Sequence, residues 1–98
     1  MTEAGREIVL QALRSLKPRL AESYGVTRIG VFGSVARNEA RDDSDVDIVV
    51  EMRPALMKRA RLRLELESVF KRKVDVIRYW HGMNGSLKKR IDDEAHYV

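Results

Sequence analysis

Val31-Phe32-Gly33-Ser34 and, ten residues later, Asp45-Val46-Asp47 form the part of the sequence that decides the fold. Residues 26–32 are apolar and β-branched and run up to a glycine, which predicts a strand that enters a tight turn. Residues 33–37 are the expected turn and helix start, and residues 38–44 are an expected polar surface loop. Residues 45–51 alternate an acid with Val or Ile before becoming apolar, which predicts a second strand.

The N-terminal quarter has apolar residues at helical spacing from Thr2 to about Leu16, with Thr2 as a plausible N-cap. Pro18 lacks the backbone N–H that a helix interior needs, so we expect it to break or kink the helix. A second short helix is then expected from Pro18 to Tyr24, and Gly25 is its expected C-cap.

The segment that follows Pro54 is ambiguous, because residues 61–67 alternate with the period of a strand while its larger apolar side chains fit one helical face. Its length and its content of Leu, Arg, Glu and Ala favour a helix up to about Phe70. The face is predicted to comprise Leu62, Leu66, Val69 and Phe70.

The C-terminal quarter begins with a predicted third strand, residues 73–79, and continues with a loop over residues 80–85. A closing helix over residues 86–95 is expected to be capped by Ser86. Helices that alternate with three strands predict an α/β (α+β) fold with a small mixed sheet of three or more strands flanked by helices.

Composition limits what the 98 residues can do. They are expected to form one domain, residues 1–98, without room for a separate substrate-recognition domain. The absence of cysteine excludes disulfides, thiolate zinc sites and a cysteine nucleophile. No apolar run approaches the roughly 20 residues of a membrane span, and Glu3 and Glu7 interrupt any signal-peptide pattern. We therefore expect a soluble, cytoplasmic protein.

Asp45 and Asp47 are the first candidates for chemistry, because residues two apart in a strand share one face, with Cα atoms roughly 6 to 7 Å apart. Adjacent carboxylates repel each other unless a cation lies between them, and Mg²⁺ prefers such oxygen ligands. Asp75, an acid inside an apolar run, would supply a third ligand for a two-metal site if the third strand lay beside the second.

Each of these acids also has a purely structural interpretation. Aspartates at strand ends commonly bind loop amides, and Asp75 would suit an ion pair with Arg72 or Arg78. If Asp75 is not the third ligand, Glu51 and Asp43 are the remaining possibilities.

Gly33-Ser34 lies where a strand meets a helix start, so its exposed amides favour a bound anion. Ser34 is suited either to cap the helix or to donate its hydroxyl to a phosphate oxygen. Arg37, one turn further on, is placed either to reach the same phosphate or to face water.

Taken together, Gly33-Ser34, ten residues and Asp45-Val46-Asp47 resemble the signature of the nucleotidyltransferase superfamily that includes DNA polymerase beta. Residues 31–37 followed by Asp43-Ser44-Asp45-Val46-Asp47 are similar to its minimal nucleotidyltransferase branch. Asn38 departs from the family, which commonly has glycine there, but asparagine tolerates a left-handed backbone and the turn is expected to survive. The resemblance implies the polymerase beta-like nucleotidyltransferase fold.

The resemblance also implies a function. Members of this branch act as antitoxins that transfer AMP from ATP to a tyrosine of a HEPN-type ribonuclease toxin, whose gene is typically adjacent. On that basis Gly33, Ser34 and Arg37 are expected to bind the nucleotide. Asp45, Asp47 and Asp75 are the expected catalytic and metal-binding residues, holding two Mg²⁺ ions.

Two other functions remain open at this stage. An antitoxin of this family can also act by covering its toxin without catalysis. A nucleic-acid-binding protein would draw on the net charge of +4 and on Tyr79, Trp80 and His81 as stacking groups. We expect Trp80 to pack in the core instead, so nucleic acid is the less favoured partner.

Overall fold

The computed structural model describes residues 5–98 and contains a mixed four-stranded sheet between helices. Thr2, the expected N-cap, lies outside the described residues. The helices are α1 (Arg6–Tyr24), α2 (Gly33–Ala36), α3 (Leu56–Phe70) and α4 (Gly85–Glu94), and the strands are β1 (Arg28–Phe32), β2 (Val46–Glu51), β3 (Val74–Arg78) and β4 (His96–Tyr97).

The sheet has the strand order β3-β2-β1-β4. β1 pairs antiparallel with both β2 and β4, whereas β2 pairs parallel with β3. The predicted mixed sheet is therefore confirmed, and the third strand does lie directly beside the second.

The two faces of the sheet carry different helices. Val46, Ile48 and Val50 of β2 are buried in the larger apolar cluster with residues of α1 and α3. Val49, from the alternate set of β2 positions, packs in a smaller cluster with Ile91 of α4. Because side chains alternate along a strand, Asp47 shares the α4 face with Val49, as expected. α4 therefore closes the side of the sheet on which the acids lie.

α1 is one continuous helix through Pro18, so the predicted break and second short helix are wrong. Pro18 is exposed, and both Leu13 and Leu20 are fully buried in the core. Packing on either side of the proline therefore outweighs the missing hydrogen bond. The predicted C-cap is confirmed, because Gly25 has φ 72° and its N–H donates to the Ala21 carbonyl.

α3 confirms the choice of helix over strand. Leu62, Leu66 and Phe70 are buried, but Val69 is 42% exposed and does not belong to the core face. Within residues 5–98, no helix combines the length and apolar character that a membrane crossing requires.

The C-terminal segment differs from prediction in two respects. α4 begins at Gly85, and its N-cap is Asn84, whose Oδ1 accepts from the Leu87 N–H at 3.0 Å, so the predicted Ser86 cap is wrong. The helix ends at Glu94, and the chain then adds β4 to the free edge of β1. Asparagine is at least as good an N-cap as serine.

Candidate active site

Gly33 forms the corner between β1 and α2. Its φ of 74° lies in the left-handed region, which side chains rarely tolerate. A Cβ at this position would also overlap the Asp47 carboxylate, which fills the space above the glycine. Glycine is therefore required at residue 33 both by the backbone turn and by the close approach of Asp47.

Ser34 and Arg37 continue this corner. α2 is preceded by Phe32 and has no side-chain cap, so the capping role considered for Ser34 is wrong. Arg37 does not simply face water, because its guanidinium binds Glu39 at 2.9 Å and Glu94 at 3.0 Å. Asn38 adopts φ 58°, which confirms that asparagine preserves the left-handed turn.

Asp47 and Asp75 are directly paired in the register of the parallel strands β2 and β3. Residues so paired point to the same face, so the two side chains are neighbours. Asp45 immediately precedes β2 and is exposed. The structure thus brings Asp75, which is distant in sequence, beside Asp47 at the end of the sheet where Asp45 and Gly33 also lie.

Asp47 experiences an excess of negative charge. Burial raises the pKa of its carboxyl above the ordinary value, the charge of Asp75 raises it further, and that of Asp45 adds a smaller effect in the same direction. The guanidinium groups of Arg90 and Arg37 oppose this increase without cancelling it. A bound cation would relieve the repulsion from Asp75 and Asp45 that adds to the effect of burial on this pKa.

The structural interpretations of the acids are not supported. Within residues 5–98, no loop amide donates a hydrogen bond to the carboxylates of Asp45, Asp47 and Asp75, and none of the three forms an ion pair. Arg72 instead donates to the carbonyls of Arg41 and Ser44.

Two other residues considered for this cluster are occupied elsewhere. Arg78, the second possible partner of Asp75, donates to the Met52 carbonyl. Glu51, an alternative third acid, lies at the opposite end of β2 and pairs with Arg28 at 3.0 Å.

The acids fit a magnesium ion in type and charge. In the described part of the chain, no three carboxylate or imidazole groups converge into a preformed metal cage. Mg²⁺ does not need one, since it usually takes one or two carboxylates and completes its shell with waters and substrate phosphates. Asp47, with Asp75 and Asp45 beside it, has the hard oxygen donors that such a site requires.

Glu94 and Arg90 are parts of the site that the sequence did not indicate. Glu94 Oε1 accepts from the Gly33 N–H at 3.2 Å and from Arg37 at 3.0 Å. Arg90 Nη2 lies 3.9 Å from the same oxygen. In sequence, both residues belong to a charged helix in which the bases of residues 88–90 are followed by the acids of residues 92–94, a pattern typical of a solvated surface.

Trp80 lies outside the core, contrary to expectation, and is 45% exposed. Its ring covers Gly82, where a Cβ would collide with it, and contacts His81 edge-on at a centroid distance of 6.0 Å. The loop glycine explains why the indole can fold back over its own segment and remain at the surface.

Comparison with known proteins assigns this arrangement to a described family. Residues 13–98 match the nucleotidyltransferase domain family. Protein adenylyltransferase MntA of Thermococcus cleftensis is 41% identical over 87 residues, which cover 87% of this chain and 83% of that protein. A Methanocaldococcus jannaschii protein, provisionally named a protein adenylyltransferase, is 45% identical over 74 residues, which cover 74% of this chain and 78% of that protein.

Solved structures agree with the fold. One, described provisionally as a minimal nucleotidyltransferase, superposes with a TM-score of 0.78 at 32% identity and covers 96% of both chains. A chain from a toxin–antitoxin crystal structure with AMP-PNP superposes with a TM-score of 0.71 and covers 86% of this chain and 69% of that one. At 20% identity, the second likeness concerns the fold alone. The predicted minimal nucleotidyltransferase fold is confirmed.

Proposed function

The chain belongs to the nucleotidyltransferase domain family, and from this premise we propose that it transfers AMP from ATP to a hydroxyl group of a protein partner. The relatives named as protein adenylyltransferases support this choice of donor and acceptor. The proposed enzyme acts in the cytoplasm and depends on Mg²⁺.

One observation carries the proposal. Asp47 lies opposite Asp75 in the register of two parallel strands, and its carboxylate fills the space above Gly33. The proposed phosphate-binding glycine, Gly33, therefore lies beside the cluster of acids. Nucleotidyl transfer needs this combination, since the triphosphate must be held while charge develops on its oxygens.

The residues at the glycine corner bind and orient the nucleotide. The Gly33 N–H and the Ser34 hydroxyl donate to phosphate oxygens, and the Arg37 guanidinium adds positive charge beside them. Fixing the triphosphate in this way aligns the α-phosphorus with the incoming hydroxyl.

The three acids are the proposed metal ligands, and one of them also accepts a proton. Asp45 and Asp47 would hold two Mg²⁺ ions, with Asp75 as a further ligand of one of them. The ions, when bound, neutralise charge on the attacking and leaving oxygens. Asp75 accepts the proton of the acceptor hydroxyl while the oxygen of that hydroxyl forms a bond to the α-phosphorus. The bond from that phosphorus to the bridging oxygen of the β-phosphate breaks, and pyrophosphate leaves.

The acceptor is proposed to be a tyrosine of a HEPN-type toxin, so that the chain acts as an antitoxin. A crystal structure of the toxin–antitoxin pair MntA-HpeT shares this fold at 17% identity, and the Thermococcus cleftensis relative that is 41% identical to this chain is also named MntA.

Label transfer from ATP labelled at the α-phosphate to the purified toxin tests the assignment. Asp45→Asn and Asp47→Asn should each lower the transfer rate by at least about a hundredfold, because each removes a charge that the transition state needs. Asp75→Asn should also lower it strongly. Asp42→Asn, which removes one charge from the exposed neighbouring loop, is the matched control and should leave the rate unchanged.

The outcomes discriminate clearly between the roles. Undiminished transfer by the Asp47→Asn protein would refute the acid site. Undiminished transfer by Asp75→Asn alone would reassign the third acid, with Asp43 as the next residue to substitute.

A further inference from the structure

One carboxylate oxygen of Glu94 lies close to three positively polarised groups around Gly33. Glu94 Oε1 accepts from the Gly33 backbone N–H at 3.2 Å and from Arg37 Nη1 at 3.0 Å. Arg90 Nη2 lies 3.9 Å from it. Three positively polarised groups around one anionic oxygen form the kind of environment that binds a phosphate oxygen.

The position of Glu94 is held by the core. Glu94 is the last residue of α4, and Ile91, one turn earlier, is fully buried against Phe32 and Val49. The Glu94 side chain is only 22% exposed. Its carboxylate therefore reaches Gly33 from a fixed helix end rather than from a mobile tail.

Glu94 also satisfies a group that would otherwise lack a partner. Gly33 is buried, and a buried backbone N–H without an acceptor is costly. The Glu94 carboxylate supplies that acceptor and neutralises Arg37 at the same time.

We propose that the Glu94 carboxylate occupies the position of a triphosphate oxygen, that the nucleotide must displace it, and that Arg90 becomes a further phosphate-binding residue once it is displaced. This inference rests on the proposed function, because it assumes that Gly33 and Arg37 bind the triphosphate. It adds a competing group, Glu94, and a binding group, Arg90, to the same site.

Displacement follows from charge and geometry. The single Gly33 N–H cannot donate fully to Glu94 and to a phosphate at once. A carboxylate left between Arg37 and Arg90 would also repel the negatively charged triphosphate. Arg37 keeps its second carboxylate partner, Glu39, after Glu94 moves away.

The test is an ATP titration of the purified full chain by calorimetry in the presence of EDTA, so that no metal contributes to affinity. Glu94→Gln removes the competing charge and should tighten ATP binding by roughly tenfold. Asp93→Asn is the matched control, since it removes the same charge from the adjacent helix position, where Asp93 pairs with Lys89 at 2.9 Å. It should change affinity less than about twofold.

Arg90 is tested in the same titration. Arg90→Ala should weaken ATP binding by roughly tenfold, because it removes a charge-assisted contact to phosphate. Lys89→Ala, the loss of a neighbouring cation on α4, is its control and should have little effect. Thermal denaturation of each variant shows whether it remains folded.

An amide NMR spectrum of the unsubstituted protein gives a readout that needs no variant. The Gly33 N–H signal should move on ATP addition, because its acceptor changes from a carboxylate to a phosphate. A Gly33 signal unmoved by saturating ATP would overturn the displacement.

Failure of this inference is distinguishable from failure of the proposed function. Weaker or unchanged ATP binding by Glu94→Gln, beside an unchanged Asp93→Asn control, would show that Glu94 supports the site instead of competing for it. An unchanged affinity for Arg90→Ala would remove Arg90 from the site. Neither result contradicts label transfer, whereas a wild-type protein that binds no ATP even in the presence of Mg²⁺ would overturn both proposals.

Discussion

At the scale of single residues, the site depends on the contact between Gly33 and Asp47. The glycine makes room for the carboxylate, and the carboxylate lies where any side chain at residue 33 would be. The sequence motif predicted both residues but not this contact, because spacing along a chain carries no information about which side chain fills a gap.

Replacing Gly33 by alanine tests that contact. Gly25 adopts nearly the same φ, 72° against 74°, but a Cβ there would meet open space. Gly25→Ala should therefore lower the free energy of unfolding by the backbone strain alone, about 1–2 kcal/mol. Gly33→Ala should lower it by about 3 kcal/mol or more, since the overlap with Asp47 adds to the strain. Equal losses in chemical denaturation would contradict the contact.

Replacing Asp47 by asparagine should increase stability at neutral pH while abolishing transfer. The folded protein raises the pKa of Asp47, so it binds that proton more tightly than the unfolded chain does. Stability is therefore lost as the pH rises from the ordinary aspartate pKa through the raised value, and the loss persists at neutral pH.

The measurement is the melting temperature of both proteins across this pH range. Asp47→Asn should melt a few degrees higher than the wild type at pH 7, and the difference should shrink as the pH falls below the ordinary aspartate pKa. A lower melting temperature of the variant at pH 7 would show that Asp47 is stabilised, rather than strained, by its surroundings.

At the scale of elements, β1, β2, β3, α2 and α3 follow from local patterns, and the differences from prediction elsewhere follow from tertiary packing. Pro18 predicted a break, but buried leucines on both sides keep α1 continuous. β4 has two residues, too few for any periodic signal, and exists because β1 offers a free edge. The role of Glu94 was also missed, because only the docking of α4 brings its carboxylate to Gly33.

The cap of α4 gives a test at this scale. Asn84 accepts a hydrogen bond from Leu87, so Asn84→Ala should lower the free energy of unfolding by about 1 kcal/mol. Ser86→Ala, at the exposed position that the sequence suggested as the cap, should change it by less than about 0.5 kcal/mol. A larger loss at Ser86 than at Asn84 in chemical denaturation would contradict the observed start of the helix.

At the scale of the whole molecule, the proposed function states that the chain neutralises its toxin by modifying it and not by covering it. With purified toxin, ribonuclease activity should fall by at least about tenfold when ATP and Mg²⁺ accompany the wild-type chain. Without ATP, or with the Asp47→Asn protein, it should persist. Equal inhibition with and without ATP would favour simple covering.

The most direct measurement of the central claim is the intact mass of the toxin after co-expression with this chain. With the wild-type chain the toxin should carry the added mass of one or more AMP groups on tyrosine, and with the Asp47→Asn chain it should carry none. An unmodified toxin that is nevertheless neutralised by the wild-type chain, or an AMP adduct that persists with Asp47→Asn, would contradict the proposal.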